Sequence, residues 1–401
     1  MNNNSDDEYG ALLLRPLSGE PSGPPAIDVS KAMRDGRRRR RRWWAGGSAL
    51  SAVAVTAVTG GVLVAARPNP APTPLPTPPP DPAVPSSCTA AALPAAKYRS
   101  AEVDAGDSSG RWLIGRAEPD MMTPSLSKSH LVWHDGALVE DVVPPVTGVT
   151  MRDINASGVA VGLSDSRADH PWAYRDGRFT RLRGGTGFAV AINDNGQIAG
   201  QLGRDQHEQP VRWPSADADP VPLAVPDEAR AEVRDIAPDG TVAGTVSEQG
   251  YLWMPDGTRR AITPPPVDGR PALTFDPLVF RYGWLYGVVS SAPAEGGLGT
   301  RNIVYRFHPG TGMWQQLSTE IMKTQVAAPT GQWRFGEEKP SVFVGRQVLS
   351  LPAYLPAIDA YLGSFVVAGI SDDAHVVAGI AMSGPADLTL PIQPVIWRCR
   401  P

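Results

Sequence analysis

The sequence predicts an all-β fold, a β-propeller of about seven blades, each built from four short strands. A turn-and-strand phrase recurs as Ile154-Asn-Ala-Ser-Gly158, Ile192-Asn-Asp-Asn-Gly196 and Ile236-Ala-Pro-Asp-Gly240, and each copy is followed by an aromatic residue, usually with a polar turn after it. A repeat at a fixed period indicates a solenoid, a propeller or an array. The pattern therefore favours a repeat-built binding or structural domain over an enzyme with a unique site.

The first phrase has the composition of a tight turn between two strands. Glycine adopts positive φ at no steric cost, and Asn or Asp tolerates the neighbouring position. We therefore expect Gly158, Gly196 and Gly240 to form the repeat turns. The short β-prone runs beside them end in small residues, as in Gln197-Ile-Ala-Gly200, which suit the crowded inner part of a sheet array.

The spacing of the repeat sets the number of blades. The last glycine of the phrase, or its counterpart, recurs every 38 to 47 residues, with one double step of 92 residues between Gly287 and Gly379. A degenerate unit that includes 341–351 fills the double step and gives seven blades. Six blades is the alternative, if 265–360 holds only one and a half units. A β-sandwich with accidental self-similarity remains open, because sandwiches also have short strands at regular spacing.

The aromatic residue of the second phrase is the candidate core of each blade. Trp and Tyr bury a large apolar area, and a four-stranded unit is too small to bury a core by itself, so stacked units must share one. The predicted core aromatics are Trp133, Tyr174, Trp213, Trp253 and Trp397.

The segment His170-Pro-Trp-Ala-Tyr-Arg-Asp-Gly-Arg-Phe-Thr-Arg-Leu182, preceded by the Ile-Asn-x-x-Gly phrase, resembles the HAF-type extracellular repeat. The similarity covers 150–262 well and 366–399 moderately, although most copies lack the histidine and the usual Leu-Gly ending. The resemblance implies an extracytoplasmic propeller-like domain. It implies no catalytic residue.

The front of the chain predicts a membrane anchor. Residues 45–66 contain no charged residue and are long enough to span a bilayer as one helix. Basic residues stay on the cytoplasmic side and tryptophans suit the interface, so we expect the N-terminus inside and the rest outside. The topology residues are Arg37, Arg38, Arg39, Arg40, Arg41, Arg42, Trp43 and Trp44.

The apolar stretch before Arg67 has a second interpretation. A cleaved signal peptide is the alternative, because Val64-Ala-Ala66 resembles a cleavage site, but the preceding 44 residues are long for such a leader.

Residues 67–87 include ten prolines, which favour a stiff polyproline II linker. The expected organisation is a cytoplasmic tail at 1–44, a span at 45–66, a linker at 67–87 and an extracellular domain at 88–401.

The two cysteines bracket the predicted domain. Cys88 follows the linker and Cys399 stands two residues from the end of the chain. A propeller brings its ends together to close the ring, and an oxidising exterior permits a disulfide. We therefore expect a Cys88–Cys399 bridge, with two free thiols or an intermolecular link as the alternatives.

The cytoplasmic tail carries a second, weaker resemblance. The segment from Leu12-Leu-Leu-Arg-Pro-Leu to the arginine run is similar to the leader of actinobacterial single-pass proteins that accompany alternative sigma factors. This resemblance implies a signalling arrangement in which the tail contacts a cytoplasmic sigma factor. A disordered tail that only sets topology is the alternative.

No motif supplies catalytic or metal chemistry. The six histidines show no zinc spacing, and Ser125-Leu-Ser-Lys128 lacks the partner motifs of penicillin-binding enzymes. The Asp-Gly turns supply too few oxygens for calcium. We therefore expect no cofactor, no metal and no enzyme activity, and the acidic net charge of −4 gives no footprint for nucleic acid.

The sequence thus predicts a single-pass protein of the cell membrane with a binding or scaffold domain outside, for a protein, peptide or glycan. Signalling through the tail and a propeller-based hydrolase or lyase are the alternatives. Polar residues that converge on the central channel with shifted pKa values would favour the enzyme, and an ordinary channel would favour binding.

Overall fold

The computed structural model describes residues 77–117, 129–164, 170–203, 208–226, 229–292, 300–318, 340–354, 364–382 and 392–401. These residues belong to one compact unit, Thr73–Pro401. The predicted tail, the arginine and tryptophan topology residues, the span at 45–66 and residues 67–76 of the linker lie outside the described residues. Within the described ranges, no helix is long and apolar enough to cross a membrane.

The described residues form six four-stranded antiparallel sheets, the blades of a β-propeller. In blades 1 to 5 the strands follow in chain order from the inner to the outer edge. Blade 1 contains β2 (Ala101–Gly106), β3 (Trp112–Ala117), β4 (Ser129–His134) and β5 (Ala137–Val142), and blade 2 contains β6 (Val149–Ile154), β7 (Ala160–Ser164), β8 (Pro171–Arg175) and β9 (Arg178–Arg181). Blade 3 contains β10 (Gly187–Ile192), β11 (Ile198–Leu202), β12 (Gln209–Trp213) and β13 (Val221–Pro222).

Blade 4 contains β14 (Ala231–Ile236), β15 (Val242–Val246), β16 (Gln249–Trp253) and β17 (Arg259–Ala261), and blade 5 contains β18 (Ala272–Arg281), β19 (Trp284–Ser291), β20 (Arg301–His308) and β21 (Met313–Ser318). Blade 6 is made from both ends of the chain. It contains β24 (Ser364–Ile370), β25 (Val376–Met382), β26 (Ile392–Arg400) and, as its outer strand, β1 (Ser87–Ala92).

The expectation of seven blades is corrected to six, the alternative count. Between blades 5 and 6 the described residues contain only a hairpin, β22 (Ser341–Val344) and β23 (Gln347–Ser350). Its side chains alternate between two neighbours, because Val342 and Val344 pack with blade 6 while Phe343 packs with blade 5. The hairpin therefore fills the space between two blades without forming a four-stranded sheet of its own.

The hydrophobic core lies in layers between successive blades. Separate clusters join blade 1 to blade 6, blade 1 to blade 2, blade 2 to blade 3, blade 3 to blade 4, and blade 4 to blade 5. Each layer buries one face of each of the two sheets beside it, and small sheets obtain a core in this way by stacking. The predicted core aromatics lie on the third strand of their blades and are at most 2% exposed: Trp133, Tyr174, Trp213, Trp253 and Trp397.

The glycines that mark the repeat period lie on the second strand of each blade, opposite a β-bulge in the first strand. A Cβ atom at these positions would lie 1.8 to 2.5 Å from a carbonyl oxygen of the first strand, so the backbones approach too closely for any larger residue. The six glycines are Gly115, Gly162, Gly200, Gly244, Gly287 and Gly379.

The predicted disulfide is confirmed. Cys88 on β1 lies directly opposite Cys399 on β26, and the two sulfurs are bonded. Because β1 comes from one end of the domain and β26 from the other, the bond holds the closure of the ring. No free cysteine is left.

Candidate functional site

The repeated turns converge on one face of the ring. The predicted turn glycines Gly158, Gly196 and Gly240 have φ of +74°, +77° and +88° and lie between the first and second strands of blades 2, 3 and 4. The equivalent turns of blades 1, 5 and 6 lie at 107–111, 282–283 and 371–375. A cavity of about 700 Å³ opens among these turns, and we call it the channel mouth.

Side chains of the phrase join each turn to the next blade. The Nδ2 atom of Asn155 donates to the Asn193 carbonyl (3.1 Å), and Nδ2 of Asn193 donates to the Ala237 carbonyl (2.9 Å). Each Asn also accepts two backbone N–H groups of its own turn through Oδ1. The Asn of the phrase therefore has two structural roles, in the turn and between blades.

Asp194 extends this network across the channel mouth. Its Oδ1 atom accepts the Ala156 N–H (2.9 Å) and its Oδ2 atom accepts the Ser108 hydroxyl (2.6 Å). The Asp372 N–H in turn donates to the Ser108 carbonyl (2.7 Å). Residues of blades 1, 2, 3 and 6 are thus hydrogen-bonded around the opening.

Two buried carboxyl groups form part of the cavity wall. Asp153 accepts the N–H of Ile154 (2.9 Å) and of Ile192 (2.8 Å), which joins blade 2 to blade 3. Asp235 accepts the N–H of Ile236 (2.8 Å) and of Phe280 (2.5 Å), which joins blade 4 to blade 5. Each side chain thus uses one carboxyl oxygen within its own strand and the other to hold the inner strand of the next blade.

Burial changes the proton affinity of these two groups. Desolvation, followed by the charge of Asp235, raises the pKa of Asp153 to about 8, and the backbone N–H groups oppose this. Desolvation also raises the pKa of Asp235 to about 6, against its backbone hydrogen bonds and the charge of Arg281. At neutral pH the Asp153 carboxyl therefore holds a proton for most of the time.

Arg281 is the positive charge at the centre of the cavity wall. It ends β18 just before a two-residue turn in which Tyr282 and Gly283 have φ of +54° and +76°. Its charge lowers the pKa of Asp153, Asp235 and Asp372, which places it within electrostatic reach of three blades. The buried Nε atom of Arg281 finds no acceptor within the described part of the chain.

Further acidic groups surround the opening. Asp194, Asp239 and Asp372 line the cavity together with Asp153 and Asp235. The Asp372 side chain reaches solvent, but neighbouring protein atoms desolvate it and raise its pKa; the carboxylates of Asp194 and Asp107 add to the increase and Arg281 opposes it. Among the described residues the channel mouth is therefore mainly acidic, with Arg281 as its one arginine.

The N-terminal segment forms one side of the mouth. Pro79, Pro80 and Pro82, which we expected within the linker, line the cavity beside the turn of blade 5. Between them, Asp81 pairs with Arg306 (Nη2 to Oδ2, 3.0 Å) and with Arg346 on the β22–β23 turn (3.0 Å). The carboxylate of Asp81 thus fixes this segment to blade 5 and to the hairpin.

Sequence reasoning identified the turn glycines of this face but missed Asp153, Asp235 and Arg281. A signal was present, because Asp153 and Asp235 each precede the Ile that opens a copy of the phrase. Arg281 occupies the place that Asn155 and Asn193 have in their blades. Within the described residues, no group of three or more His, Cys, Asp or Glu side chains has the arrangement of a metal site.

No protein-family model matches the chain, and no curated protein does. The solved structures named below are less than 25% identical to this chain, so the likeness concerns the fold alone. They include the β-propeller domain of the trilobed protease from Pyrococcus furiosus (9% identity, 74% of this chain and 95% of that chain, TM-score 0.43). They also include YCF48 bound to D1 peptide (14%, 80% and 98%, TM-score 0.43).

A prolyl endopeptidase structure is also similar, with 10% identity and a TM-score of 0.46 over 74% of this chain. The chain spans half the length of that protein. The sheet order described above gives the fold of this chain, an all-β propeller.

Proposed function

We propose that this chain is a membrane-anchored, extracytoplasmic binding module that holds a protein, peptide or glycan of the cell envelope at the channel mouth. The observation that carries the proposal is the cavity of about 700 Å³, to which residues of all six blades contribute. Ligand sites in proteins are concave, of this size, and lined by a few convergent polar groups. The placement outside the membrane is supported by the disulfide and by the sequence of residues 37–66.

Site-specific photo-crosslinking in cells tests this proposal. A benzoylphenylalanine at Met254, which is half-buried and lines the cavity, should give adducts with the bound molecule. The matched control is the same probe at Val139, which is 48% exposed on the outer strand of blade 1. Adducts that form equally at both positions, or at neither, would contradict binding at the channel mouth.

A propeller-based hydrolase or lyase is the second candidate, because one observation favours it. Carboxyl groups with raised pKa values meet in one cavity, as the catalytic groups of an enzyme do. Binding remains the first proposal because both oxygens of Asp153 and of Asp235 are occupied by backbone N–H groups. Neither group is free to exchange a proton with a ligand without disturbing a backbone hydrogen bond within its strand or between blades.

Incubation with isolated cell envelopes separates the two candidates. An enzyme would release soluble products over time, detected by mass spectrometry, and Asp153→Asn would slow the release. A binding module would retain its ligand in a fixed ratio to protein without any increase of soluble products. Time-dependent product formation by the unmodified protein would overturn the binding proposal.

A further inference from the structure

We propose that the channel mouth recognises an amino acid or a short peptide by both of its charged ends, with the carboxylate at Arg281 and the ammonium group at Asp194 and Asp372. This inference rests on the proposed function and names its ligand class. It is carried by hydrogen-bond donors that have no acceptor among the described residues, and by carboxylates that line the same cavity.

Arg281, which is half-buried, differs from the two buried arginines Arg116 and Arg306. Arg306 is paired with Asp81, and Arg116 is paired with Glu102 and Asp104. Arg281, in contrast, forms no ion pair within 4.0 Å among the residues that the structure describes, and its Nε atom has no acceptor there. A buried donor that lacks an acceptor is unfavourable, so a ligand that supplies one gains affinity at this position.

Two hydroxyl groups beside the cavity share this property. Thr241 is 2% exposed and its Oγ1 atom has no hydrogen-bond partner within the described ranges, and the same holds for the half-buried Tyr282 hydroxyl. Both residues line the cavity with Arg281. A guanidinium with nearby hydroxyls matches the oxygens of a carboxylate, which arginine binds through two parallel hydrogen bonds.

The remaining charges exclude a simple anion as the ligand. Asp194 and Asp372 lie close enough for the first to raise the pKa of the second, and Asp239 lines the same opening. A cleft lined by one sign of charge concentrates ligands of the opposite sign. A ligand that satisfies both Arg281 and these carboxylates therefore carries a carboxylate and an ammonium group, as amino acids and peptides with free ends do.

Calorimetric titration of the full-length protein with four probes tests the inference. The probes are trialanine, trialanine amide, N-acetyl-trialanine and N-acetyl-trialanine amide, which remove each terminal charge in turn. We expect trialanine to bind, and the loss of either charge to weaken binding about tenfold or more, as expected for a charge-assisted hydrogen bond. Arg281→Met should abolish the preference for the acid over the amide while the preference for a free amine remains.

Arg178→Met is the matched control, since Arg178 is exposed on the outer strand of blade 2, and it should leave all four affinities unchanged. If Arg281→Met does not fold, Thr241→Val provides the second test and should weaken trialanine binding about fivefold. Absence of trialanine binding, equal binding of acid and amide, or a preference that survives both variants would overturn the inference. Failure of this inference would leave the proposed function intact, because a neutral glycan at the channel mouth would still give cross-linked adducts at Met254.

Discussion

Cys88 and Cys399 face each other on neighbouring antiparallel strands, although 311 residues separate them in the chain. The pairing of β1 with β26 makes the first described strand the outer edge of the last blade. Closure of the ring therefore depends on a backbone ladder and on one covalent bond at the same place. Almost every described residue lies within the loop that the bond closes.

Removal of the disulfide should destabilise the domain strongly. In the chain-entropy model a loop of this length contributes on the order of 4–5 kcal/mol, because the cross-link restricts the unfolded chain. Cys88→Ser/Cys399→Ser should lower the free energy of unfolding in urea by a similar amount. Reducing agent should have the same effect on the native protein and no effect on the double variant. Equal stability of the oxidised protein and the double variant would show that the β1–β26 ladder alone holds the ring.

The repeat glycines should be intolerant of the smallest substitution. A Cβ atom on Gly244 would lie 2.0 Å from the carbonyl oxygen of Glu232, and the sheet must separate to admit it. We expect Gly244→Ala to reduce stability by about 3 kcal/mol or more. Gly196→Ala is the control, because Gly196 has positive φ but open space around it, and should lose only about 1–2 kcal/mol. Thermal unfolding of both variants measures the difference, and equal losses would refute the close-approach explanation.

The attachment of the proline segment should depend on Asp81. Arg306 is 2% exposed, so Asp81→Asn leaves a buried guanidinium without its counter-charge and should cost about 3 kcal/mol or more. Arg346→Ala removes the exposed partner of the same carboxylate and should cost at most about 1 kcal/mol. Denaturant unfolding distinguishes the two. A larger loss for Arg346→Ala would contradict this assignment.

The same ion pair predicts a loss of stability in acid. Burial acts to raise the pKa of Asp81, but the hydrogen bonds and charges of Arg306 and Arg346 outweigh burial and hold this pKa below its usual value. A lowered pKa stabilises the folded state above the unfolded value of 3.8, and this contribution is lost as the pH falls through the folded pKa. The difference in stability between native protein and Asp81→Asn should therefore shrink as the pH falls below about 4. A difference that does not change with pH would contradict an ionic role.

Asp153 should have the opposite effect on the pH dependence. Its folded pKa of about 8 lies above the ordinary aspartate value of 3.8, so between these values the folded state holds a proton that the unfolded state has released. Stability should therefore fall as the pH rises from about 4 to 8, with a limiting slope of about 1.4 kcal/mol per pH unit for one proton. Urea unfolding across this range measures the slope, and Asp153→Asn should flatten it. A slope that persists in the variant would assign the effect to another group.

Several expectations follow from local chemistry and are reproduced in the fold. The all-β propeller was predictable because tight turns and short strands recur at a fixed period, and the disulfide because closure brings the chain ends together. The positive φ of Gly196 and the burial of Trp213 are local consequences of residue type and repeat position. The membrane anchor, the cytoplasmic tail and the location outside the cell stay predictions.

The number of blades depended on tertiary packing. The hairpin that contains Phe343 carries β-prone residues, as a complete unit does, and the repeat arithmetic counted it as one. The hairpin packs instead between blades 5 and 6, because its alternating side chains join the hydrophobic clusters of both blades. The repeat period gives only the spacing of similar segments along the chain. Whether such a segment forms a complete sheet depends on how it packs against its neighbours.

The sequence by itself determined the all-β class and the repeating unit of this protein, because turn glycines, strand residues and core aromatics act through local geometry that repeats. Only the tertiary structure decided the channel mouth. Asp153, Asp235 and Arg281 lie on three different blades, and their proton affinities and free hydrogen-bonding capacity arise from burial and from one another. Proton affinity and unused hydrogen-bond donors depend on distances between residues in the folded protein, and the spacing of residues along the chain does not reveal those distances.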